Sequence, residues 1–212
     1  MIILAIGGAV IKTSWWEIKE LAQKRMFDVL IHNGGSMFHD FQRATEKLES
    51  HSYPLEDLLV DFECNRPASE LVWKWVEKGE APKGSLTRIC QDRDIPVLMF
   101  TVLGADFWQL FDIKHSWSDI ALRSWFDFRK LKECMNKPFH FICMGSAVVQ
   151  PEVFTKALAI VKPKKFRAYV VDFLDMYRER TRVAKYGYYW RCTHKQYLNM
   201  WIKKGSVPLP ED

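Results

Sequence analysis

The residues of this sequence that could bind a ligand gather around four short glycine-containing segments. Each segment follows an apolar run: Gly7-Gly8, Asn33-Gly34-Gly35, Gly104 and Gly145-Ser146. Glycine has no side chain and tolerates positive φ, so the backbone at such a turn can approach a ligand closely. At the carboxyl ends of parallel strands this arrangement suits a phosphate or a dinucleotide, although a single glycine also serves as an ordinary tight turn.

The common sequence signatures of phosphate and metal sites are absent. Neither GxGxxG nor GxxxxGK[ST] occurs, so the expected phosphate site is of another kind. No HxxxH, HExxH or clustered Cys/His spacing occurs, and we expect no metal. The five cysteines are odd in number and include no CxxC pair, which is typical of reduced thiols in a cytoplasmic protein.

Two basic or neutral side chains near the glycine segments are candidates for catalysis. Lys12 lies just beyond Gly7-Gly8 and could contact a phosphate or, if desolvated, form an imine with a carbonyl substrate. The alternative is that it is an ordinary solvated charge. His39 could act as a general acid or base near neutral pH, because its reference pKa is about 6.5.

Two carboxylates near predicted helix starts have both a functional and a structural interpretation. Asp40 could accept a ribose hydroxyl or cap a helix through backbone N–H groups. Glu152 sits in a predicted first helical turn, where it stabilises the helix dipole whatever else it does, and it is a candidate catalytic residue.

The elements that must position these residues follow a repeated pattern. A short apolar run, a glycine turn and a helical pattern recur, with strands predicted at 2–6, 27–31, 96–102, 139–144 and 167–173. A helix opened by Ser14, with Glu17 completing a capping box, follows the first turn. Strands alternating with helices predict an α/β, doubly wound and mostly parallel sheet.

Length and composition agree with one folded domain over residues 1–212, with a helical insertion at about 54–91. The chain has a mass of 25.0 kDa, 48% hydrophobic and 27% charged residues, which excludes disordered and fibrous classes. The longest apolar runs, 1–8 and 97–104, are too short to span a bilayer.

The net charge of +5 is concentrated near the C-terminus. Residues 161–205 contain 12 Lys or Arg against 3 Asp or Glu, interleaved with aromatic residues. That composition would suit nucleic-acid binding. The favoured interpretation is that the segment covers a hydrophobic face or a subunit contact, with lysine stems reaching to water.

Three ordered motifs, at 7–12, 33–41 and 145–154, resemble deoxyhypusine synthase-like proteins, and the likeness is closest to a bacterial branch of that superfamily. The resemblance implies a Rossmann-like sheet that binds NAD, within a homotetramer whose active sites lie near subunit interfaces. The synthases use NAD to oxidise spermidine and pass an aminobutyl group to a protein lysine. The chain is shorter than typical members.

Matched residue by residue, the resemblance implies that 33–40 is a nucleotide-binding loop, with His39 where the synthases carry an acidic residue. It implies that Asp106, in Gly104-Ala105-Asp106, holds a ribose of NAD. Gly145-Ser146-Ala147 matches a glycine-rich turn, but Gln150-Pro151-Glu152 replaces the histidine pair that follows it in the synthases.

The imine-forming lysine of the synthases has no counterpart that we identify, since Lys185 and Lys195 lie in unlike surroundings. The sequence therefore predicts an NAD- or nucleotide-binding enzyme of this transferase group that acts on an amine or a nucleotide-linked substrate and does not form hypusine. Alternatives are a non-catalytic nucleotide-binding or scaffold protein, and a nucleic-acid-modifying function. Abundant aromatic residues predict a homo-oligomer.

Overall fold

A computed structural model describes residues 1–45, 66–101 and 117–210 of the chain. Six strands form one parallel sheet: β1 (Ile2–Ile6), β2 (Val29–Asn33), β3 (Val97–Phe100), β4 (Phe139–Met144), β5 (Phe166–Asp172) and β6 (Gly187–Arg191). Their order is β3-β2-β1-β4-β5-β6. This is the strand order of doubly wound dinucleotide-binding folds, so the predicted α/β, Rossmann-like fold class is confirmed.

Helices cover both faces of the sheet. The described helices are α1 (Gly8–Gln23), α2 (Gly34–Ala44), α3 (Arg66–Lys78), α4 (Leu86–Asp92), α5 (Trp117–Met135), α6 (Val149–Val161), α7 (Tyr177–Arg182) and α8 (His194–Lys204). The hydrophobic core on one face of the sheet contains side chains from α1, α2, α3, α4 and α8. The core on the other face contains side chains from α5, α6 and the segment after α7. Within the described ranges, no helix combines the length and the apolar character needed to cross a membrane.

Strand side chains alternate between these two cores. In β1, Leu4 and Ile6 face the core on the α1 side, whereas Ile3 and Ala5 face the core on the α5 side. All four side chains are fully buried. A parallel sheet covered by helices on both faces requires this burial, and it explains why β1 reads as a continuous apolar run.

The predicted strands agree with the structure most closely in the centre of the sheet. Strands β1 and β4 have the predicted bounds, and β3 and β5 differ at their ends. Strand β2 begins two residues later than predicted, at Val29. Just before it, the Asp28 carboxylate accepts the backbone N–H of Ile2 at 2.6 Å. Strand β6 is missing from the prediction, since its sequence, GYYWR, is exposed at one edge and looks like part of the basic aromatic segment.

The first helix starts earlier than its capping box predicts. Helix α1 begins at Gly8, directly after β1, and is kinked at Ser14, whose φ of −144° and ψ of 29° are not helical. Ser14 therefore interrupts the helix at the position where the sequence predicts that it begins. The predicted helical insertion is represented by α3 and α4, and its first part, 54–65, lies outside the described residues.

A buried carboxylate holds three helices together. Asp40 of α2 is fully buried and accepts the indole N–H of Trp15 at 2.8 Å. It also accepts the backbone N–H groups of Leu86 and Thr87 at 2.7 and 2.9 Å and the Thr87 hydroxyl at 2.8 Å. Asp40 thus caps α4, and it ties that helix to α1 and α2.

The turns after β1 and β4 are in direct backbone contact. The N–H of Gly7 donates to the carbonyl oxygen of Met144 at 2.8 Å, across the centre of the sheet. A Cβ atom on Gly7 would lie 1.8 Å from the carbonyl oxygen of Gly145, which is far inside van der Waals contact. Glycine at position 7 is therefore required for the two turns to meet.

The crowded aromatic residues divide between core and surface. Trp73 and Trp75, two positions apart on α3, are both buried. Trp16 is 66% exposed, and Trp125 and Phe126 on α5 are about half exposed at 52% and 51%. Only some of the aromatic surface therefore remains available for a subunit contact.

Replacing Asp40 by alanine should leave three or more buried donors without an acceptor. We expect Asp40→Ala to lower the free energy of unfolding by about 3 kcal/mol or more in denaturant titrations. The matched control is Asp92→Ala on α4, which removes only an exposed ion pair with Arg88 and should change stability by less than about 1 kcal/mol. Equal effects of the two variants would contradict the assigned role of Asp40.

A second prediction concerns the contact between the β1 and β4 turns. Gly7→Ala should destabilise the protein by about 3 kcal/mol, because the new Cβ collides with backbone rather than with a movable side chain. Gly84→Ala is the control, since Gly84 has φ of +80° but open space around it. It should cost only about 1 kcal/mol of conformational strain. Thermal unfolding of both variants checks this, and a tolerated Gly7→Ala would refute it.

Candidate functional site

The centre of the sheet carries a topological switch point. The chain leaves β1 into α1 on one face and leaves β4 into α6 on the other, and the two strands are neighbours. In open α/β sheets, ligands bind in the crevice at the carboxyl ends of two such strands. The predicted segments Gly7-Gly8 and Gly145-Ser146 lie at these ends, and Asn33-Gly34-Gly35 follows the adjacent strand β2.

Three of the predicted glycine segments converge, and they differ in how open they are. Gly8, Gly35 and Gly145 are partly exposed, whereas Gly7 and Gly34 are buried. A Cβ atom on Gly8 would lie 3.6 Å from the carbonyl carbon of Gly35, so the β1 and β2 turns touch. The partly exposed glycines are the ones whose backbone a ligand could approach.

The β2 turn is held rigidly by its own polar residues. The Asn33 side chain accepts the backbone N–H of Ser36 at 2.7 Å and so caps α2. The Ser36 hydroxyl donates to the carbonyl oxygen of Asn33 and lies 2.8 Å from Nδ1 of His32. Burial lowers the pKa of His32 to about 3, so this histidine is neutral and structural.

His39 lies beside the turns, within the protein interior. It is 6% exposed, and its Nδ1 lies 3.0 Å from the side-chain oxygen of Gln42. Its ring carbon Cδ2 would be 3.2 Å from a Cβ atom on Gly8, so the imidazole forms part of the wall behind the β1 turn. A role for His39 in acid–base catalysis remains a prediction.

The surroundings of Asp40 do not favour its expected contact with a ribose hydroxyl, which remains a prediction. Its carboxylate is in the interior, and donors from Trp15, Leu86 and Thr87 surround it. The capping alternative therefore explains this residue. Asp40 lies in α2, but the helix that it caps is α4, which begins 46 residues later in the sequence.

The remaining candidates are placed as follows. Lys12 is exposed on α1, which does not favour the desolvated environment that imine formation needs. Glu152 is half-buried in the first turn of α6 and pairs with Arg182 and, at 3.4 Å, with Arg178. That pairing joins α6 to α7 and gives Glu152 a structural role. Gly104 and Asp106 lie outside the described residues.

A polar cluster that the sequence analysis did not identify lies at the same edge. Its members come from the ends of β4, β5 and β6 and from the helices that follow them: Ser146, Gln150, Asp172, Glu179, Tyr189 and His194. All except Tyr189 are at least nine-tenths buried. A group of buried polar side chains at a switch point is a candidate reaction site.

Glu179 of α7 is fully buried and faces several elements. Its Oε2 atom lies 3.0 Å from the hydroxyl of Tyr189 on β6. Burial and then the negative charge of Asp172 raise the pKa of Glu179 to about 7, and interactions with the Tyr189 hydroxyl and the backbone N–H of Ser146 oppose this shift. The carboxyl of Glu179 can therefore gain or lose a proton near neutral pH.

Asp172 and His194 form the neighbouring pair. His194 Nε2 lies 3.6 Å from Asp172 Oδ2, and Asp172 Oδ1 accepts the backbone N–H of Leu174 at 3.0 Å. Burial would raise the pKa of Asp172, but the interactions with His194 and the backbone outweigh burial and lower it. His194 also touches the β4 turn, because its ring would be 3.0 Å from a Cβ atom on Gly145.

Gln150 belongs to the polar cluster, and the Cys143 thiol lies close to its carboxylates. The amide nitrogen of Gln150 donates to the carbonyl oxygen of Ile6 at 3.5 Å, whereas its side-chain oxygen has no hydrogen-bond partner among the described residues. Burial, followed by the charges of Glu179 and Asp172, raises the pKa of the Cys143 thiol well above its usual range. Cys143 is therefore a neutral thiol rather than a nucleophile.

Sequence signals existed for part of this cluster. Asp172 is the penultimate residue of the strand predicted at 167–173, and Thr193 with Gln196 forms a capping box that marks the start of α8 and hence the place of His194. Glu179 and Tyr189 have no such signal, because they lie in the basic aromatic segment where neither charge nor periodicity distinguishes them.

The basic segment does not act as one surface. Lys162, Lys164 and Lys165 precede β5 and lie at its amino end, opposite to the glycine turns. Arg180 pairs with Asp175 at 2.8 Å, and Lys195 pairs with Glu17 at 3.3 Å. This division does not favour a continuous phosphate track that leads to the glycine turns.

No group of three or more metal-ligating side chains occurs within residues 1–45, 66–101 and 117–210. Among those residues Cys90, Cys134, Cys143 and Cys192 are free thiols.

Comparison with known proteins identifies the fold. No protein-family model matches the sequence, and no curated protein sequence matches it. A crystal structure of a conserved putative LOR/SDH protein from Methanococcus maripaludis S2 is similar, with a TM-score of 0.66 and 13% identity. The similarity covers 96% of this chain and 60% of that chain.

Two further solved structures share the fold at 11% identity. AgrE in ternary complex with ornithine and NAD+ has a TM-score of 0.60, over 96% of this chain and 30% of that chain. A putative deoxyhypusine synthase from Entamoeba histolytica has a TM-score of 0.54, over 97% of this chain and 74% of that chain. The fold implied by the sequence resemblance is confirmed: the chain has the Rossmann-like fold that LOR/SDH-like and deoxyhypusine synthase-like structures share.

Proposed function

We propose that this chain is an NAD-binding enzyme that acts on an amine or a nucleotide-linked substrate. One observation carries the proposal: three partly open glycine turns converge at the switch point of a 3-2-1-4-5-6 sheet, beside a buried polar cluster. Folds of this topology bind dinucleotides at that place. The AgrE structure named above was solved with ornithine and NAD+, which supports both the cofactor and an amine substrate.

The start of α1 is suited to binding a phosphate, whereas the end of β2 lacks the acidic residue that many dinucleotide-binding proteins carry. Gly8 opens α1 directly after β1, so unpaired backbone N–H groups and the positive end of a helix dipole face the crevice. Where many dinucleotide-binding proteins carry an acidic residue for the ribose, β2 ends in Asn33. When bound, NAD would supply hydride acceptance.

The polar cluster would serve the substrate. The side-chain oxygen of Gln150 and Oε1 of Glu179, which have no hydrogen-bond partner among the described residues, suit a ligand that brings N–H groups. Asp172 supplies a negative charge beside them, because its pKa is lowered. These features support an amine over an anionic substrate at this end of the crevice.

The wider assignment remains part of the proposal. We keep the transferase group, which the sequence resemblance implies, as part of the proposal. We also propose a homo-oligomer, because Trp125 and Phe126 on α5 expose about half of their surface. The chain spans only 60% of the LOR/SDH protein and 30% of AgrE, so their complete activities are not transferred to it.

Binding of NAD should stabilise the folded protein. At a free concentration about 100 times Kd, the gain is roughly 2.7 kcal/mol, which for a chain of this size raises Tm by roughly 5–10 °C. Gly8→Ala should weaken NAD binding about tenfold or more in apparent affinity, because its Cβ would lie 3.2 Å from the His39 ring and would displace the β1 and β2 turns that are proposed to hold the phosphates. Thermal shift with NAD, NADH and ATP measures both.

The control for this experiment is Gly79→Ala. Gly79 follows α3, has φ of +72° and has open space around it, so its substitution should cost stability without changing affinity. Loss of affinity in both variants, or no shift with any nucleotide at millimolar concentration, would refute the cofactor assignment.

The protein should not transfer an aminobutyl group through a lysine imine. That route needs a lysine that is desolvated and held against the nicotinamide, whereas Lys12, Lys185 and Lys195 are all exposed. Incubation with NAD and radiolabelled spermidine, followed by borohydride trapping, should leave no label on the protein. Label that is lost in Lys12→Ala or Lys185→Ala would restore synthase-type chemistry.

A further inference from the structure

The hydroxyl of Tyr189 has more partners than its single proton can serve. It lies 2.5 Å from the carbonyl oxygen of Leu174 and 3.0 Å from Oε2 of Glu179, and it accepts the backbone N–H of Met176 at 3.2 Å. A tyrosine hydroxyl donates one hydrogen bond. The two oxygens of Leu174 and Glu179 therefore compete for it, unless one of them brings a proton of its own.

The distances favour one assignment of the Tyr189 proton. A backbone carbonyl only accepts, and the Leu174 contact is the shorter of the two, so the tyrosine proton belongs to Leu174. The contact between Glu179 and Tyr189 is then a hydrogen bond only if the carboxyl of Glu179 carries the proton. A neutral, protonated Glu179 carboxyl is the state that satisfies all three contacts of the Tyr189 hydroxyl.

We propose that Glu179 is an acid–base residue of the switch-point site, that it holds a proton at neutral pH, and that Tyr189 positions it and fastens residues 173–176 beside it. The assignment of the site to a ligand rests on the proposed function. The proton on Glu179 and the fastening by Tyr189 rest on the contacts above.

The second oxygen of Glu179 explains how the group could serve a ligand. Oε1 is buried and has no hydrogen-bond partner among the described residues. A buried polar atom without a partner destabilises the folded protein. Gln150 Oε1 is in the same condition, and both atoms belong to the cluster at the carboxyl edge. A ligand with N–H groups would satisfy them.

The segment between β5 and α7 borders this cluster. Phe173, Leu174 and Tyr177 are all more than half exposed, whereas Glu179 is fully buried. Tyr189 contacts both the segment, through Leu174 and Met176, and the carboxyl. When Glu179 loses its proton, the carboxylate can only accept, and it draws the tyrosine proton away from Leu174. Ionisation of Glu179 should therefore loosen residues 173–176.

The charged groups around Glu179 agree with a protonated state. Glu179 faces the negatively charged Asp172 of β5. The charge of Asp172 also raises the pKa of the neighbouring Cys143 thiol on β4. The groups on α7 and at its start are paired elsewhere, Arg178 and Arg182 with Glu152 and Arg180 with Asp175. His194 of α8 faces Asp172. No described cation is paired with the Glu179 carboxyl, while burial and the Asp172 charge raise its pKa.

The first test titrates Glu179 in the ligand-free protein. With 13C-carboxyl-labelled glutamate, one NMR resonance should titrate near pH 7, well above those of the exposed glutamates, and it should be missing in Glu179→Gln. Because the wild-type resonance is itself diagnostic, the test does not depend on the variant. If every glutamate is ionised at pH 6, the proposal is overturned.

Stability against pH gives an independent measurement. The folded-state pKa of Glu179 is raised above its ordinary value, so its favourable contribution is complete below about pH 4.5 and is lost as the pH rises through about 7. Wild type should lose Tm between pH 5 and 8, and Glu179→Gln should lose less over the same range. Identical profiles would count against a proton on Glu179.

The second test concerns Tyr189. Tyr189→Phe removes the acceptor for the Glu179 proton and admits water, and both changes should lower the midpoint of the Glu179 resonance. Hydrogen exchange of the Met176 amide should become about fivefold faster or more, because it loses its hydrogen-bond acceptor. Tyr188→Phe, on the same strand but with an exposed side chain, is the matched control and should change neither.

The outcomes separate this proposal from the proposed function. A midpoint that rises in Tyr189→Phe would show that the tyrosine donates to an ionised Glu179, and it would overturn the proton assignment. Absence of NAD binding together with a normal titration of Glu179 would remove the cofactor but leave the acid–base residue in place. NAD binding with Glu179 ionised throughout would do the reverse.

Discussion

The backbone contact between the β1 and β4 turns is the constraint on which the site depends. Neighbouring strands whose chains leave to opposite faces open a crevice, but only if their ends stay in register. The hydrogen bond from Gly7 to Met144, and the missing side chain at Gly7, keep these ends together. A crevice, a helix N-terminus and an open glycine turn then lie at one place, because the connections after β1 and β4 leave to opposite faces of the sheet.

Around that contact, polar groups are buried in two networks with different purposes. The network of Asp40 is satisfied by donors from three helices, and it fixes α4 and α1 against α2. The network around Glu179 and Gln150 has acceptor oxygens without a hydrogen-bond partner in the part of the chain that the structure describes. A satisfied buried network is typical of structure, whereas an unsatisfied one destabilises the fold and is typical of sites that wait for a ligand.

The sequence predicted the frame of this molecule better than its chemistry. Strands β1 and β4 were predictable because a buried parallel strand is an apolar run that ends in glycine, and the convergence of the turns followed from a parallel sheet. Asp40 was ambiguous, since its partners at Leu86 and Thr87 are 46 and 47 residues away. Glu179 and Tyr189 were hidden, because a shared proton depends on three-dimensional distances and leaves no spacing in the chain.

The lysines that precede β5 give the molecule an electrical polarity along its strands. Lys162, Lys164 and Lys165 lie at the amino edge, whereas the negative Asp172 lies at the carboxyl edge, at opposite ends of the same strand. Seven residues of strand span about 23 Å, well beyond a screening length of about 8 Å at physiological ionic strength. These three lysines therefore attract an anion to the end away from the glycine turns. Their charge contributes little to the capture of a nucleotide at the crevice, so replacing them by neutral residues should change its rate of association little.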